Sequence, residues 1–591
     1  MALDRECHLA VPQPLYVPAD AAEYDGRVPT VPAAYPPPFS ASEVIGAPEA
    51  PAEEQLDVGV AIVGGGPAGL ACAIRLAQLL EDDPGVAERL GEVPIALVDK
   101  GRVVGAHQLS GAVVQPAPLL ELFPGTSLED MTSYGPVEHE AVYFMTRSRA
   151  ARLPIVPPPM HNKGNHVFSL ARLARFMAER AEELGVMALP ETDAQRLLVQ
   201  NGAVRGIRTG DKGRGRQGEE LPTFEPGAEL TAQATVLADG VQGMLSGAAI
   251  EHFGLQPENP QIYALGVKEV WRVERPLDRV VHTIGWPLKP QARYREFGGT
   301  FAYPMGSDTL CLGLVVGLDS ADATLSVHDL LQEVKCHPLF RRMLEGGERI
   351  AWGAKAIPEG GFWSMPASVS PPGAVILGDA AGFVNVPRLK GVHYALRSGM
   401  LAAETIHRAL ADGADLSQPG ALSLYDAQVK NSEIYHDLRR YRNMRQAFQH
   451  GLIVGGALGG AMDSMQGDFP PWRLPTHPDS EQPVFVGNRS YGERDGKLTF
   501  DKLSSVFASG NRSRDDQPDH IRIQRRVPRE LAIAWANMCP AQVYEVGAEG
   551  EDGLVEVEVT PSNCVQCGAI TAKGGRLTPP EGGSGPEYTL T

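Results

Sequence analysis

Seven cysteines in 591 residues are too few and too scattered for a disulfide framework. Positive charge is also scarce. The 53 basic side chains face 72 acidic ones, a formal net charge of −19, which excludes a broad nucleic-acid surface. No apolar run reaches the roughly 18 to 20 residues that a membrane-spanning helix needs. The opening MALDRECHLAVPQPLY has neither the basic start nor the apolar stretch of a secretory signal. What is present is ordinary globular usage, 43% hydrophobic and 21% charged. The 65 glycines and 49 prolines predict many turns and at least one extended tail. A chain of this length should divide into roughly three or four core-bearing units.

Residues 1–55 are rich in Pro and Ala, including Tyr35-Pro36-Pro37-Pro38, and too poor in large apolar residues for a core of their own, so they are expected to form a tail. Asp4, Glu6, Asp20, Glu23 and Asp25 set it apart from a mitochondrial transit peptide and favour a bacterial source. Residues 56–253 alternate short apolar runs with helical segments, as a parallel α/β sheet does. Between 254 and 345, ALGVKEVWRV, GGTFAYPM and TLCLGLVVGL alternate as antiparallel strands, expected to form a sheet inserted into the α/β part. That part resumes at 346–483 with a long helical region from Lys390 to Phe448. Residues 484–591 set two strand signals, QVYEV and LVEVEV, between cysteines.

Gly64-Gly65-Gly66-Pro67-Ala68-Gly69 follows the strand-like VAIV and opens a helix, where backbone amides can approach a pyrophosphate. The next strand ends at Asp99, placed to accept hydrogen bonds from an adenosine ribose. Its spacing exceeds the usual ~20 residues, which an inserted surface loop over EDDPGVAERLGE would explain. ATVLADGVQG ends a strand at Asp239-Gly240, and AVILGDAAGFVN ends another at Gly378-Asp379 before a helix-like segment. The three together point to FAD, with Gly64, Gly66, Ala68, Gly69, Asp99, Lys100, His107, Gly240, Gly378 and Asp379 as candidate cofactor-binding residues. Lys390 and His393, near the next helix start, either stabilise reduced flavin or serve packing. No second glycine fingerprint suggests a nicotinamide domain, and no catalytic nucleophile is required.

Cys539-Pro540 precedes the pair Cys564 and Cys567 in NCVQCGAI. Such spacing suits an iron–sulfur cluster, but the position completing C-x2-C-x2-C is Ile570. A cluster, a zinc site with a further ligand, and three structural thiols all remain open on spacing alone. FQHGLIVGGALGGAM (448–462), preceded by Arg439, Arg440, Arg442 and Arg445, reads either as a shallow membrane insertion beside a basic patch or as a buried core helix.

Longer motifs resemble one family, the electron transfer flavoprotein:ubiquinone oxidoreductases. They include GAHQLSGAVVQP (105–116), HTIGWPL (282–288), FGGTFAY (297–303), GFVNVPRLKGVHYALRSGMLAAE (382–404), DKLSSVF (501–507), DQPDHIRI (516–523), CPAQVYE (539–545) and PPEGGSGP (579–586). The resemblance runs from about residue 57 to the end. It implies an FAD-binding Rossmann-like domain in two parts (56–253 and 346–483), an antiparallel quinone-binding domain (254–345) and a ferredoxin-like domain (484–591), in an α/β and α+β fold. It also implies electron transfer from reduced electron transfer flavoprotein through FAD and a four-iron, four-sulfur cluster to ubiquinone. Gly298 and Gly299 would lie at the quinone headgroup, and Cys539, Cys564 and Cys567 would be three cluster ligands. The protein would sit monotopically on the cytoplasmic face of a bacterial inner membrane, with residues 105–123 as a second shallow insertion. The competing reading is an FAD-dependent reductase or hydroxylase of the geranylgeranyl reductase-like class.

Overall fold

The computed structural model describes residues 29–51, 55–109 and 113–591. The first sheet runs in the order Ile45–Gly46, Ala194–Gln200, Ala203–Thr209, Glu229–Leu237, Leu56–Val63, Ile95–Val98 and Met187–Leu189, with Ala374–Ile376 pairing beside Glu229–Leu237. Its centre is parallel: Leu56–Val63 lies between Glu229–Leu237 and Ile95–Val98. Six successive residues of Leu56–Val63, from Val58 onward, are buried, because helices cover both faces of such a sheet. Helix Pro67–Asp82 begins with proline in its first turn after Gly66 and ends at Asp83, just before Pro84. It is apolar nearly all round, since it is wedged between the sheet and helix Val392–Ala411. A Cβ on Gly399 of that second helix would collide with the carbonyl of Ala68.

Glu81–Glu92 is more ordered than a surface loop. Pro84–Arg89 is helical, capped by the Asp83 side chain, and Val86 and Leu90 are buried. Gly378-Asp379 opens a single 3-10 turn, Gly378–Ala381, and the helix proper starts only at Val392. The long helical region is broken into Val392–Ala411, Ser423–Asn431, Glu433–Arg440 and Met444–Ala447.

The second sheet has the order Glu348–Pro358, Tyr263–Arg272, Thr309–Gly317, Gly298–Pro304, Val280–Gly285, Glu140–Met145, Ala150–Arg152. It is wider than the 254–345 segment, because strands from 140–152 and 348–358 extend both edges. Glu140–Met145 joins in parallel with Val280–Gly285. In the C-terminal part the two strand signals pair as an antiparallel hairpin, with Tyr544–Glu549 against Leu554–Val559. It shares one apolar cluster with the second sheet, in which Trp271, Trp352, Trp535 and Val555 are buried together.

The described portion of the 1–55 segment is no free tail. Ile45–Gly46 adds an edge strand parallel to Leu197 and Leu198. Ser40 and Glu43 form a capping box, and the amides of Glu49 and Ala50 donate to the Glu229 carboxylate. Lacking its own core, it satisfies backbone groups on the edge of an existing one. Asp4, Glu6, Cys7, Asp20, Glu23 and Asp25 lie outside the described residues.

Candidate functional site

The end of strand Leu56–Val63 turns so tightly that Gly64 sits at φ +106°, where a Cβ would collide with the carbonyl of Ala238. A Cβ on Gly69 would strike the carbonyl of Gly64, so this glycine brings helix and turn together instead of facing a ligand. Asp99 is anchored by backbone donors, with the Gly65 amide giving to Oδ2 and the Gly101 amide to Oδ1, each at 2.8 Å. Burial nevertheless raises its carboxyl above the ordinary value.

These groups open into a cavity of about 840 Å³. Gly64, Gly66, Ala68, Asp99, Lys100, His107, Gly240, Asp379 and Lys390 line it, and so do Gly298 and Gly299. Three anticipated residues stand back from it. Gly69 and Gly378 are packing positions; a Cβ on Gly378 would come within 3.0 Å of the Ala68 Cβ. His393 is buried beneath the wall, its ring against Tyr394 with centroids 3.8 Å apart. Burial and the nearby Lys390 push it down to about 3, so it stays neutral.

Several buried polar atoms of the lining have no protein partner: Asp239 Oδ1, both amide atoms of Gln242, His107 Nδ1, Glu296 Oε1 and Thr300 Oγ1. Native interiors rarely leave such groups unpaired, so this wall suits a polar ligand that supplies the missing bonds. Together with the turn whose glycines leave room for a phosphate chain, the lining fits FAD. Asp379 is raised to about 6 by burial, against the pull of Lys355. Lys390 Nζ bonds Asn162 Oδ1 at 2.6 Å and is brought down to about 7 by burial, with Arg388 adding to it.

Sequence reasoning missed Lys355, the charged residue in the apolar strand AWGAKAIP. It lines the cavity, donates to the Gln566 carbonyl at 3.3 Å and is pushed down to about 8. Its only sequence signal was a lysine breaking an otherwise apolar run. The buried pair His282 Nε2 and Tyr303 Oη, 2.9 Å apart on the same wall, was missed as well.

Cys539 and Cys564 are buried and Cys567 faces the cavity. The Val543 amide donates to Cys539 Sγ and the Gln566 amide to Cys564 Sγ, both at 3.4 Å. Burial raises the Tyr544 hydroxyl well above its ordinary value, and all three thiols add to that rise. Among the described residues no three His, Cys, Asp or Glu side chains are set to hold a single metal ion. Three thiols are a donor set of the right chemistry for three corners of an iron–sulfur cluster; at the fourth position of the spacing stands Ile570, 4% exposed.

Two family models match: the ubiquinone-binding domain of ETF-QO over residues 263–357, and the 4Fe-4S domain of electron transfer flavoprotein-ubiquinone oxidoreductase over 496–589. The electron transfer flavoprotein-ubiquinone oxidoreductase of Oryza sativa subsp. japonica is 38% identical, across 91% of this chain and 93% of its own length. The chain belongs to the electron transfer flavoprotein-ubiquinone oxidoreductase family. The Pseudomonas aeruginosa member is also 38% identical, over 90% of this chain and 99% of its own. The chain is therefore an oxidoreductase acting between electron transfer flavoprotein and ubiquinone. A geranylgeranyl bacteriochlorophyll reductase-like protein from Thermoplasma acidophilum superposes with a TM-score of 0.52 at 18% identity, covering 72% of this chain and 95% of that one. That likeness concerns the fold alone, and relatives matching along nearly the whole chain outweigh the rival reductase reading.

The membrane-contact expectations divide. Helix Leu452–Ser464 packs Gly455, Gly459 and Met462 inward but leaves Ile453 82% and Val454 51% exposed, so it is not a buried core helix. The arginine patch is only half a surface. Arg445 is buried between Asp319 (2.9 Å) and Glu359 (2.7 Å), and Arg442 is buried against the carbonyls of Gly467 and Pro470. The second proposed insertion is corrected: Ala106, Val113, Val114, Leu119, Leu122 and Phe123 are core residues, and 110–112 lie outside the described residues. Among the described residues no helix is long and apolar enough to cross a membrane.

Proposed function

We propose that electrons from reduced electron transfer flavoprotein enter this chain at FAD or an iron–sulfur cluster and leave to ubiquinone within one cavity. The carrying observation is that cavity's continuity. Its wall includes the glycine turn, Gly298 and Gly299, Cys567 and the exposed Ile453, which supports a cofactor and a quinone meeting in one space beside one of the thiols and an apolar mouth. FAD exchanges electrons singly or in pairs and the cluster one at a time, so the protein's task is placement and tuning.

The backbone of Gly64, Gly66 and Ala68 would hold the FAD pyrophosphate, Asp99 and Lys100 its adenosine end, and Gly240, Asp379 and His107 the flavin side. Lys355 and Lys390 place positive charge where reduction accumulates negative charge. Quinone reduction to quinol also consumes two protons. Lys390 Nζ, brought to about 7, can release one near neutral pH, and the Tyr303 Oη–His282 Nε2 pair lies on the wall that carries Gly298 and Gly299. Gly298 and Gly299 would border the quinone headgroup, and Ile453 and Val454 would dip into one leaflet so that quinone enters from the bilayer. On this reading the protein is monotopic, on the cytoplasmic face of a bacterial inner membrane.

Anaerobic mixing of the flavin-loaded protein with reduced electron transfer flavoprotein and a short-chain ubiquinone tests the reading. Quinone-dependent oxidation of the partner is expected; its absence overturns the proposal.

A further inference from the structure

We propose that the thiol site of this chain holds a three-iron, four-sulfur cluster, because the position that would supply the fourth thiolate carries the buried side chain of Ile570. This departs from the four-iron cluster of the matched family model and rests on the cluster-bearing reading above.

The three existing corners are well made. Cys539 follows the last turn of helix Arg529–Met538, and the Val543 amide points at its sulfur. Cys564 takes the Gln566 amide across a tight loop in which Gln566 has a positive φ. Such amide–sulfur bonds favour thiolates by stabilising their charge.

The fourth corner differs in chemistry. Ile570 stands three residues beyond Cys567, on the short helix Ala569–Ala572. Its carbonyl accepts the amides of Lys573 and Gly575, each at 3.0 Å, which fixes the turn. A Cβ on Gly575 would lie 2.6 Å from Ile570 Cγ1, so glycine there lets the backbone press against this side chain. Ile570 belongs to one buried apolar cluster with Cys539, Cys564, Val565, Ala569 and Trp535. A fourth iron lacking a thiolate needs water, hydroxide or a side-chain nitrogen or oxygen, and the isoleucine side chain at this position provides none. A cube missing that iron needs only the three thiolates present. Rival donors are the buried, unpartnered Oε1 of Gln566, which stands between Cys564 and Cys567 in the chain, and His520, whose ring nitrogens are both unpartnered.

Anaerobically purified wild-type protein decides this by iron and acid-labile sulfide analysis with electron paramagnetic resonance. Three ferric ions carry an odd number of d electrons, so the oxidised protein should show a half-integer-spin signal that disappears on one-electron reduction. An oxidised four-iron cluster has an even count and acquires such a signal only when reduced. About three irons per chain with the oxidised-state signal is the expected result. About four irons, with His520 or another group completing the site, overturns the proposal, and so does protein without iron. Ile570→Cys should raise the count to about four and move the signal to the reduced state. The iron count does not depend on turnover, so loss of quinone reduction in a three-iron protein would overturn the functional reading and leave this one standing.

Discussion

The ammonium of Lys355 reaches the carbonyl oxygen of Gln566 at 3.3 Å, fastening a cation of the cavity wall to the loop that carries Cys567. Burial pushes this lysine down to about 8 while Cys567, Asp99 and Asp379 hold it up. It is therefore mostly charged at pH 7 and neutral above pH 8 to 9. Lys355→Met should leave the protein yellow but lower the flavin midpoint potential by ~30 mV, about 1.4 kcal/mol for a two-electron couple. The gap between wild type and variant should close as pH rises past about 8. Dye-equilibrated anaerobic titrations read it; equal potentials at pH 7 would show that Lys355 only packs.

Asp379 supplies a stability prediction of opposite sign to the usual carboxylate. Its native value, raised to about 6 from 3.8, means the folded protein binds the proton more tightly than the unfolded chain. Stability is therefore lost as pH rises from about 4 to 6, by on the order of 1 to 3 kcal/mol for this group. Asp379→Asn should make cofactor-free protein more heat-stable than wild type at pH 7.5, with the advantage fading below pH 4. The same variant should retain FAD less well. Thermal melts at several pH values, with and without FAD, check both halves.

Gly64 combines a left-handed φ with a wall where Cβ would stand. Gly64→Ala should cost about 2 kcal/mol or more through strain and displaced backbone, and should yield protein largely without flavin. The absorbance ratio of flavin to protein after purification measures it. A fully yellow variant would mean the turn can relax.

Membrane contact and buried charge can be separated on neighbouring residues. Replacing Ile453 and Val454 together by Glu removes ~1.5 to 3 kcal/mol of apolar transfer per side chain, so vesicle binding should weaken at least tenfold while flavin content stays unchanged. Arg445→Met should instead destabilise the fold by about 3 to 5 kcal/mol, since Asp319 and Glu359 are left buried without their partner. Flotation with liposomes and thermal melts distinguish the outcomes. Unchanged binding of the double variant would remove this helix from the membrane surface.

Much of the architecture was legible because short-range rules govern it. The glycine turn followed a strand as expected, and ALGVKEVWRV, GGTFAYPM and TLCLGLVVGL became neighbours in one sheet. The misses involve partners distant in sequence. Arg442 and Arg445 read as a basic patch because Asp319, Glu359 and the Gly467 carbonyl that bury them lie up to 126 residues away. The second sheet outgrew its segment because Glu140–Met145 pairs with Val280–Gly285 across the chain. From its place near a helix start His393 could serve flavin or packing, and the turn of that helix sends it under the wall against Tyr394.

By itself the sequence determined the chemistry on offer: a phosphate-accepting glycine turn, three thiols at cluster spacing with isoleucine in the fourth place, and a short apolar helix that cannot span a bilayer. These are local properties, set by backbone freedom, ligand type and length. Only the tertiary structure decided which groups share a space. It gathered the turn, Lys355, Gly298 and Gly299, Cys567 and Ile453 around one cavity, and it sealed Ile570 in an apolar cluster with two of the thiols. Burial and proximity arise from contacts between residues hundreds of positions apart, and they set the protonation of Asp379 and Lys390.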